Sequence, residues 1–262
     1  MRARILVVAS PTIDIVGASR RPGGPGLYAA ATASLMGCRV EVLGPLGLEG
    51  AHVVAEAYRL FGAELLGPLA PGCPYVFHHS YTPEGSRASL ILCRPPPLGP
   101  EALGYARGGY DALQVSPVGC EVPPAMAPLL ASAIGAGVSA IDLQGYERCW
   151  GLRPPLHGYA LIHASTDDTQ TPPDPPPAGA IVYTMGARGG VIITRRGSRS
   201  LPKPPRLHPD PTGAGDILVT ATLCIHLTEG VDLEDSVVKA VSYVPDILDH
   251  INNVIPSPRA DG

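Results

Sequence analysis

The chain has almost no lysine. Lys203 and Lys239 are the only two in 262 residues, and arginine carries the rest of the positive charge. The formal net charge is −4 and no Lys/Arg-rich run stands out, so the electrostatic footprint of a nucleic-acid-binding protein is missing. Aromatics are also scarce, at 5% against 45% apolar residues overall. The core must therefore be Val, Leu, Ile and Ala. That suits a parallel sheet covered by helices and argues against an aromatic-rich β-sandwich. No apolar run reaches about 18 residues without polar interruption, and no secretory leader precedes the first strand. The expectation is a soluble, cytoplasmic protein with no membrane partner.

No C-x-x-C pair occurs either. Cys38, Cys73, Cys93, Cys120, Cys149 and Cys224 match no zinc spacing. Buried free thiols are expected, with disulfides the alternative if the source is a hyperthermophile. No G-x-x-x-x-G-K-[ST] loop and no internal repeat is present.

What is present is an alternation of short apolar runs and helical patterns. "RILVVAS" (4–10) reads as a buried strand, "GLYAAATASLMG" (26–37) as an Ala-rich helix stopped by Gly37, "CRVEVLGPLG" (38–47) as a strand and "GAHVVAEAYRLFGAE" (50–64) as a helix. "PYVFHHSYTPEGSRASLILC" (74–93) breaks the rhythm with a hairpin signal at "TPEG". Strands follow at 112–116, 139–145, 160–165, 180–186 and 189–197, with a helix at 123–137. Two helices close the chain. One starts near Gly215; the other runs from Leu233 to Ile251 with Asp232 as its N-cap and a break expected at Pro245. This predicts one three-layer α/β/α domain over 1–262, with a mainly parallel sheet and a small β lid near 11–22 and 74–93.

The chemistry concentrates in "HPDPTGAGDILVTATLCIHLTEG" (208–230). Glycines before an apolar helix offer backbone N–H groups and the positive end of a helix dipole to an anion. Asp216, in the first turn, is placed to take a proton from a hydroxyl beside that anion. A base next to a phosphate cradle points to phosphoryl transfer to an alcohol. The plain alternative is a turn followed by an acid that complements the dipole.

"DPTGAGD" (210–216) resembles the D-T-x-G-A-G-D signature of the ribokinase, or PfkB, carbohydrate kinase family. The resemblance extends over nearly the whole chain. "GG" at 23–24, Asp14, "TMGARG" (184–189) and "DLQGYERCW" (142–150) are similar to family segments in the same order. It implies a ribokinase-like fold, ATP with Mg²⁺, and a sugar, cyclic polyol or nucleoside acceptor. Asp216 would be the catalytic base, and Gly213, Ala214 and Gly215 the anion hole. Thr184, Gly186 and Gly189 would line the nucleotide site, while Asp14, Gly23 and Gly24 would contact the acceptor. Arg188, in "GARG", is read separately, either as a residue that reaches a nucleotide phosphate or as an exposed loop arginine. A homodimer through the lid edge is also implied.

Three departures stand out. Tyr28 occupies the place of an asparagine; short archaeal members of the family, including those resembling myo-inositol kinases, also carry aromatics there. "STDD" (165–168) stands for N-x-x-E, so Asp168, with Ser165, would organise the metal. Pro211 replaces a threonine. Two other classes stay open. One is a kinase-fold protein that binds without catalysis. The other is an NAD-dependent oxidoreductase on the strength of "GPGLYA" (24–29), although about fourteen residues separate that motif from Val8. His78 and His79 are read as hairpin positions, one facing the substrate. His163 is read as a strand residue and Arg148 as half of an ion pair.

Overall fold

The computed structural model describes residues 2–81, 87–175 and 179–255. Strand β1 (Arg4–Val8) is followed by two short strands, β2 (Thr12–Val16) and β3 (Ser19–Gly23). Helix α1 (Pro25–Met36) leads to β4 (Arg39–Leu43), β5 (Leu46–Gly47), α2 (Ala51–Leu60), β6 (Glu64–Leu66) and β7 (Leu69–Ala70). The hairpin β8 (Tyr75–Tyr81) and β9 (Arg87–Cys93) comes next; its "TPEG" turn lies outside the described residues. Alternation resumes with β10 (Ala112–Val115), α3 (Met126–Ile134), β11 (Val138–Asp142), α4 (Gln144–Trp150), β12 (Leu161–Ser165) and β13 (Ala180–Thr184). The chain ends with β14 (Gly190–Thr194), β15 (Gly197–Leu201), α5 (Ala214–Glu229), α6 (Leu233–Ala240) and α7 (Val244–Val254).

Nine strands form one sheet in the order β15-β14-β13-β12-β11-β10-β1-β4-β6. All neighbours pair in parallel except β13–β14 and β14–β15. In β1 successive side chains go to opposite faces, Ile5 and Val7 into one core, Leu6 and Val8 into the other. Helices α1, α2, α5, α6 and α7 cover the first face, α3 and α4 the second. This is the expected three-layer α/β/α arrangement. A four-stranded sheet, β3-β2-β8-β9, stands apart as the lid. Among the described residues no helix is long and apolar enough to cross a membrane.

Local sequence explains the boundaries. Helix α1 carries Pro25 in its first turn, and Gly37 ends it at φ 77°. Its residues Pro25 to Ala33 are buried, and small alanines let it pack closely on the sheet and on α5. Asp232 caps α6 by accepting from the Asp235 N–H at 2.9 Å. The break foreseen at Pro245 falls just before it, since proline suits the first turn of α7 and not the interior of a helix.

Three expectations are corrected. The strand read at 139–145 stops at Asp142, because the Asp142 Oδ1 accepts from the Gln144 N–H and turns the chain into α4. The strand read at 189–197 ends at Thr194, and β15, in the polar segment "GSRSL", pairs back on it. Four of the six cysteines are paired, Cys73–Cys93 at the base of the lid hairpin and Cys120–Cys149 between the 117–122 loop and α4; Cys38 and Cys224 are free and buried. The bridges span 20 and 29 residues of sequence, a separation at which cross-linking stabilises by about 3 kcal/mol each. Reduction under native conditions should lower the melting temperature by on the order of 10 °C. Thiol counting without reductant in the denatured protein should find two free cysteines; six would refute both bridges.

Candidate active site

The loop before α5 lies between two side chains that dictate its composition. Gly213, the N-cap, has φ 83°, a left-handed conformation that favours glycine, and a Cβ there would lie 2.4 Å from the Tyr28 ring. A Cβ on Gly215 would meet the His163 Cε1 at 2.7 Å. Small residues are therefore imposed by the packing as well as by any anion. The Ala214 N–H donates to the Pro211 carbonyl at 3.0 Å, closing the turn. Among the described residues the Gly213 and Gly215 N–H groups have no backbone acceptor in this turn, unlike the Ala214 N–H.

Asp216 follows in the first helical turn. It is 5% exposed, and its Oδ1 has no hydrogen-bond partner among the described residues. Burial lifts its pKa well above the ordinary aspartate value; Asp142 and Asp168 push the same way, while His163 and Arg148 oppose them.

His163 sits beneath this loop on β12. Its Nδ1 lies 2.7 Å from Asp142 Oδ2 and its Nε2 3.2 Å from Thr184 Oγ1. Burial alone would lower the His163 pKa, but the Asp142 carboxylate outweighs it and holds the imidazole above its ordinary value. Sequence reasoning took His163 for a strand residue and had no signal for this contact, since 21 residues separate it from Asp142.

Two cavities open on either side of the loop. The first, about 270 Å³, is lined by Thr184, Gly186 and Gly189, by Ala214 and Gly215, and by an apolar wall that includes Pro202, Leu207, Pro245 and Leu248. Arg188, read from its loop as a phosphate contact or an exposed arginine, is exposed and does not line it. Pro211 does. The second cavity, about 70 Å³, holds Asp216 and Gly213 together with Asp14, Gly24, Tyr28, His79, Gln144 and Arg148. Gly23 stands behind it, where a Cβ would collide with Asp14 Oδ2 at 2.4 Å. The lid supplies His79, whose Nδ1 is 2.8 Å from Ser89 Oγ and whose Nε2 is 3.7 Å from Asp14 Oδ1. His79 and not His78 faces this cavity. The segment "GPGLYA" lies beside the same cavity, and β2 and β3 separate it from β1, unlike a dinucleotide motif.

Asp168 lines neither cavity. Its Oδ2 accepts from Ser165 Oγ at 2.6 Å, and its Oδ1 is 3.5 Å from Arg148 Nη2. Among the described residues no three metal-ligating side chains cluster. Yet the Asp142 carboxylate raises the pKa values of Asp168 and Asp216, and Asp168 adds to the rise at Asp216, with His163 and Arg148 opposing both. That surplus of negative charge fits a divalent cation held mostly by water and by a phosphate ligand, the usual mode for Mg²⁺.

No family model and no curated protein matches the chain. Solved structures do. A pyrophosphate-dependent kinase in the ribokinase family, complexed with a pyrophosphate analog and myo-inositol, is similar at TM-score 0.74 and 18% identity, over 93% of this chain and 94% of that one. The fold is that of the ribokinase family. Ribokinase from Thermotoga maritima is similar at TM-score 0.69 and 16% identity, over 93% of this chain and 92% of that one. Arabidopsis thaliana ribokinase complexed with ribose and ATP is similar at TM-score 0.70 and 17% identity, over 94% and 92%. Within the ribokinase fold, the paired cavities and the loop between them stand at the C-terminal ends of the parallel strands, where open α/β sheets bind ligands.

A carboxyl whose pKa is higher folded than unfolded stabilises the fold while protonated. Asp216 therefore stabilises below about pH 4, and that contribution is lost as the pH rises through its raised folded-state value. Asp216→Asn should melt higher than the parent chain at pH 8 in EDTA, with the difference shrinking towards pH 4. Equal melting at pH 8 would mean that the ionised side chain is not strained by burial.

Proposed function

We propose that the protein is an ATP-dependent, Mg²⁺-assisted kinase that phosphorylates a hydroxyl of a sugar or cyclic polyol. The observation that carries this reading is the unpartnered Asp216 Oδ1, buried on the side of the loop that faces the small polar cavity. The other side of the same loop faces the larger, apolar cavity. A donor in the larger cavity would set its terminal phosphate at the Gly213 and Gly215 N–H groups. An acceptor in the smaller one would turn a hydroxyl to Asp216. The carboxylate takes the hydroxyl proton, and the N–H groups stabilise charge on the moving phosphoryl group.

Several features support the finer assignments. The apolar walls of the donor cavity suit a planar base, which pyrophosphate lacks; this favours a nucleoside triphosphate over the donor of the pyrophosphate-dependent neighbour. In the acceptor cavity Thr12, Asp14, His79, Ser89 and Gln144 offer partners for several hydroxyls, as a buried polyol requires. Its small volume favours a single ring over a nucleoside. Asp168 would hold Mg²⁺, with Ser165 orienting the carboxylate. When bound, the metal supplies positive charge to the donor phosphates. The lid edge, where Leu90, Ile91 and Leu92 are exposed, suits pairing with a second copy.

The test is consumption of ATP, and of pyrophosphate in parallel, against a panel of sugars, inositols and nucleosides. ATP turnover on a sugar or inositol is expected. Ligand binding with no turnover would favour a binding protein, and turnover with pyrophosphate alone would overturn the donor assignment. Asp216→Asn should lower kcat by roughly 10³-fold or more while ATP affinity stays within about threefold. A fully active variant would remove Asp216 from the mechanism.

A further inference from the structure

Phosphoryl transfer needs positive charge on the group in flight, and this chain has few sources of it. Lys239 is paired with Glu229 on the surface, and neither Lys203 nor Lys239 lines a cavity. Arg206, in the donor cavity, is held by Asp246 and Asp249. Arg21 bridges from the lid to Asp210. Arg148, on α4, is the one Lys or Arg among the described residues that lines the cavity containing Asp216. Its side chain is 40% exposed, and its single ion pair, to Asp168, is long at 3.5 Å. Most of its planar fork of donors is left for another partner. A pair of this length and exposure contributes little to stability, so fold maintenance does not explain an arginine at this position. The same guanidinium also favours the ionised form of Asp216.

We propose that Arg148 is a catalytic residue that binds the phosphoryl group as it passes from donor to acceptor. The proposal rests on the kinase reading above. In the step, the acceptor oxygen forms a bond to the γ-phosphorus as the bond from that phosphorus to the β,γ-bridging oxygen breaks. The departing nucleoside diphosphate keeps the electron pair, and Asp216 receives the hydroxyl proton. The phosphoryl oxygens are met by the Gly213 and Gly215 N–H groups on the helix side and by Arg148 from the facing wall. A guanidinium can engage two of those oxygens at once, which an ammonium on the same stem does not reproduce.

The experiment uses the full chain with ATP, Mg²⁺ and whichever acceptor the wild type phosphorylates. Arg148→Ala should lower kcat by roughly 10²- to 10³-fold, with the acceptor KM and the ATP affinity within about threefold of wild type. Millimolar guanidinium should restore part of the lost rate, and methylammonium should not. Arg148→Lys should fall between Ala and wild type, and it guards against an Ala variant that folds poorly. A kcat within about fivefold of wild type for Arg148→Ala overturns the proposal. So does a loss fully reversed by raising Mg²⁺, which would reduce Arg148 to a residue that positions Asp168. A wild type that transfers phosphate to no acceptor overturns the kinase reading itself, and the two failures are thereby told apart.

Discussion

Asp216 has to be ionised to accept a proton, yet it sits where water hardly reaches it. Burial opposes its charge, and two further carboxylates, Asp142 and Asp168, add to the opposition. Left there, the group would stay protonated and inert. His163 and Arg148 oppose that outcome from two directions, one beneath the loop and one across the cavity. The carboxyl pKa stands well above the ordinary aspartate value, and His163 and Arg148 limit the rise. A base in that position is stronger than a solvated aspartate, and the orphaned Oδ1 is the atom with a lone pair to offer.

The sheet makes this balance reproducible. Asp142 ends β11, His163 lies on β12 and Thr184 ends β13, so three neighbouring parallel strands fix the His163 ring from both nitrogens. Helix α5 then rests its first turn on that ring through Gly215. The acceptor side is held differently. The lid strands carry Asp14 and His79, and Arg21 on β3 ties the lid to Asp210 just before the loop. One half of the site thus comes from the central sheet and the other from the lid. On the proposed kinase reading, specificity for the acceptor would belong to the lid half.

The alternating pattern made the sheet and its helices legible, since apolar runs such as Ile5 to Val8 leave a strand buried on both faces little alternative. The glycines and Asp216 drew notice as a small-residue loop with an acid at the head of an apolar helix, and the packing of Gly213 on Tyr28 and of Gly215 on His163 accounts for the small residues. Residues that act through tertiary contact left no such mark. His163 looks like any polar residue in a strand until Asp142 is seen 2.7 Å away. The walls of the donor cavity come from a proline-rich segment and from α7, neither of which carries a motif. Strand β15 was missed because its residues are polar and mostly exposed; pairing to β14, not burial, makes it a strand. The cysteine pairs were invisible for a like reason, because sequence separation says nothing of proximity.

The residues that depart from the family pattern become intelligible together. Tyr28 lays its ring over Gly213, so with this ring in place the loop position admits only glycine. Burial drives the Tyr28 pKa up, so the phenol stays neutral and adds no charge beside Asp216. The Pro211 carbonyl accepts from the Ala214 N–H, and the Thr212 N–H donates to Asp210 Oδ1 at 3.1 Å. The loop is therefore closed without the N–H that proline lacks. The proline ring adds apolar surface to the donor cavity instead. On the proposed reading, no threonine hydroxyl from position 211 would meet the donor phosphates, and that polar role would fall to the loop N–H groups of Gly213 and Gly215.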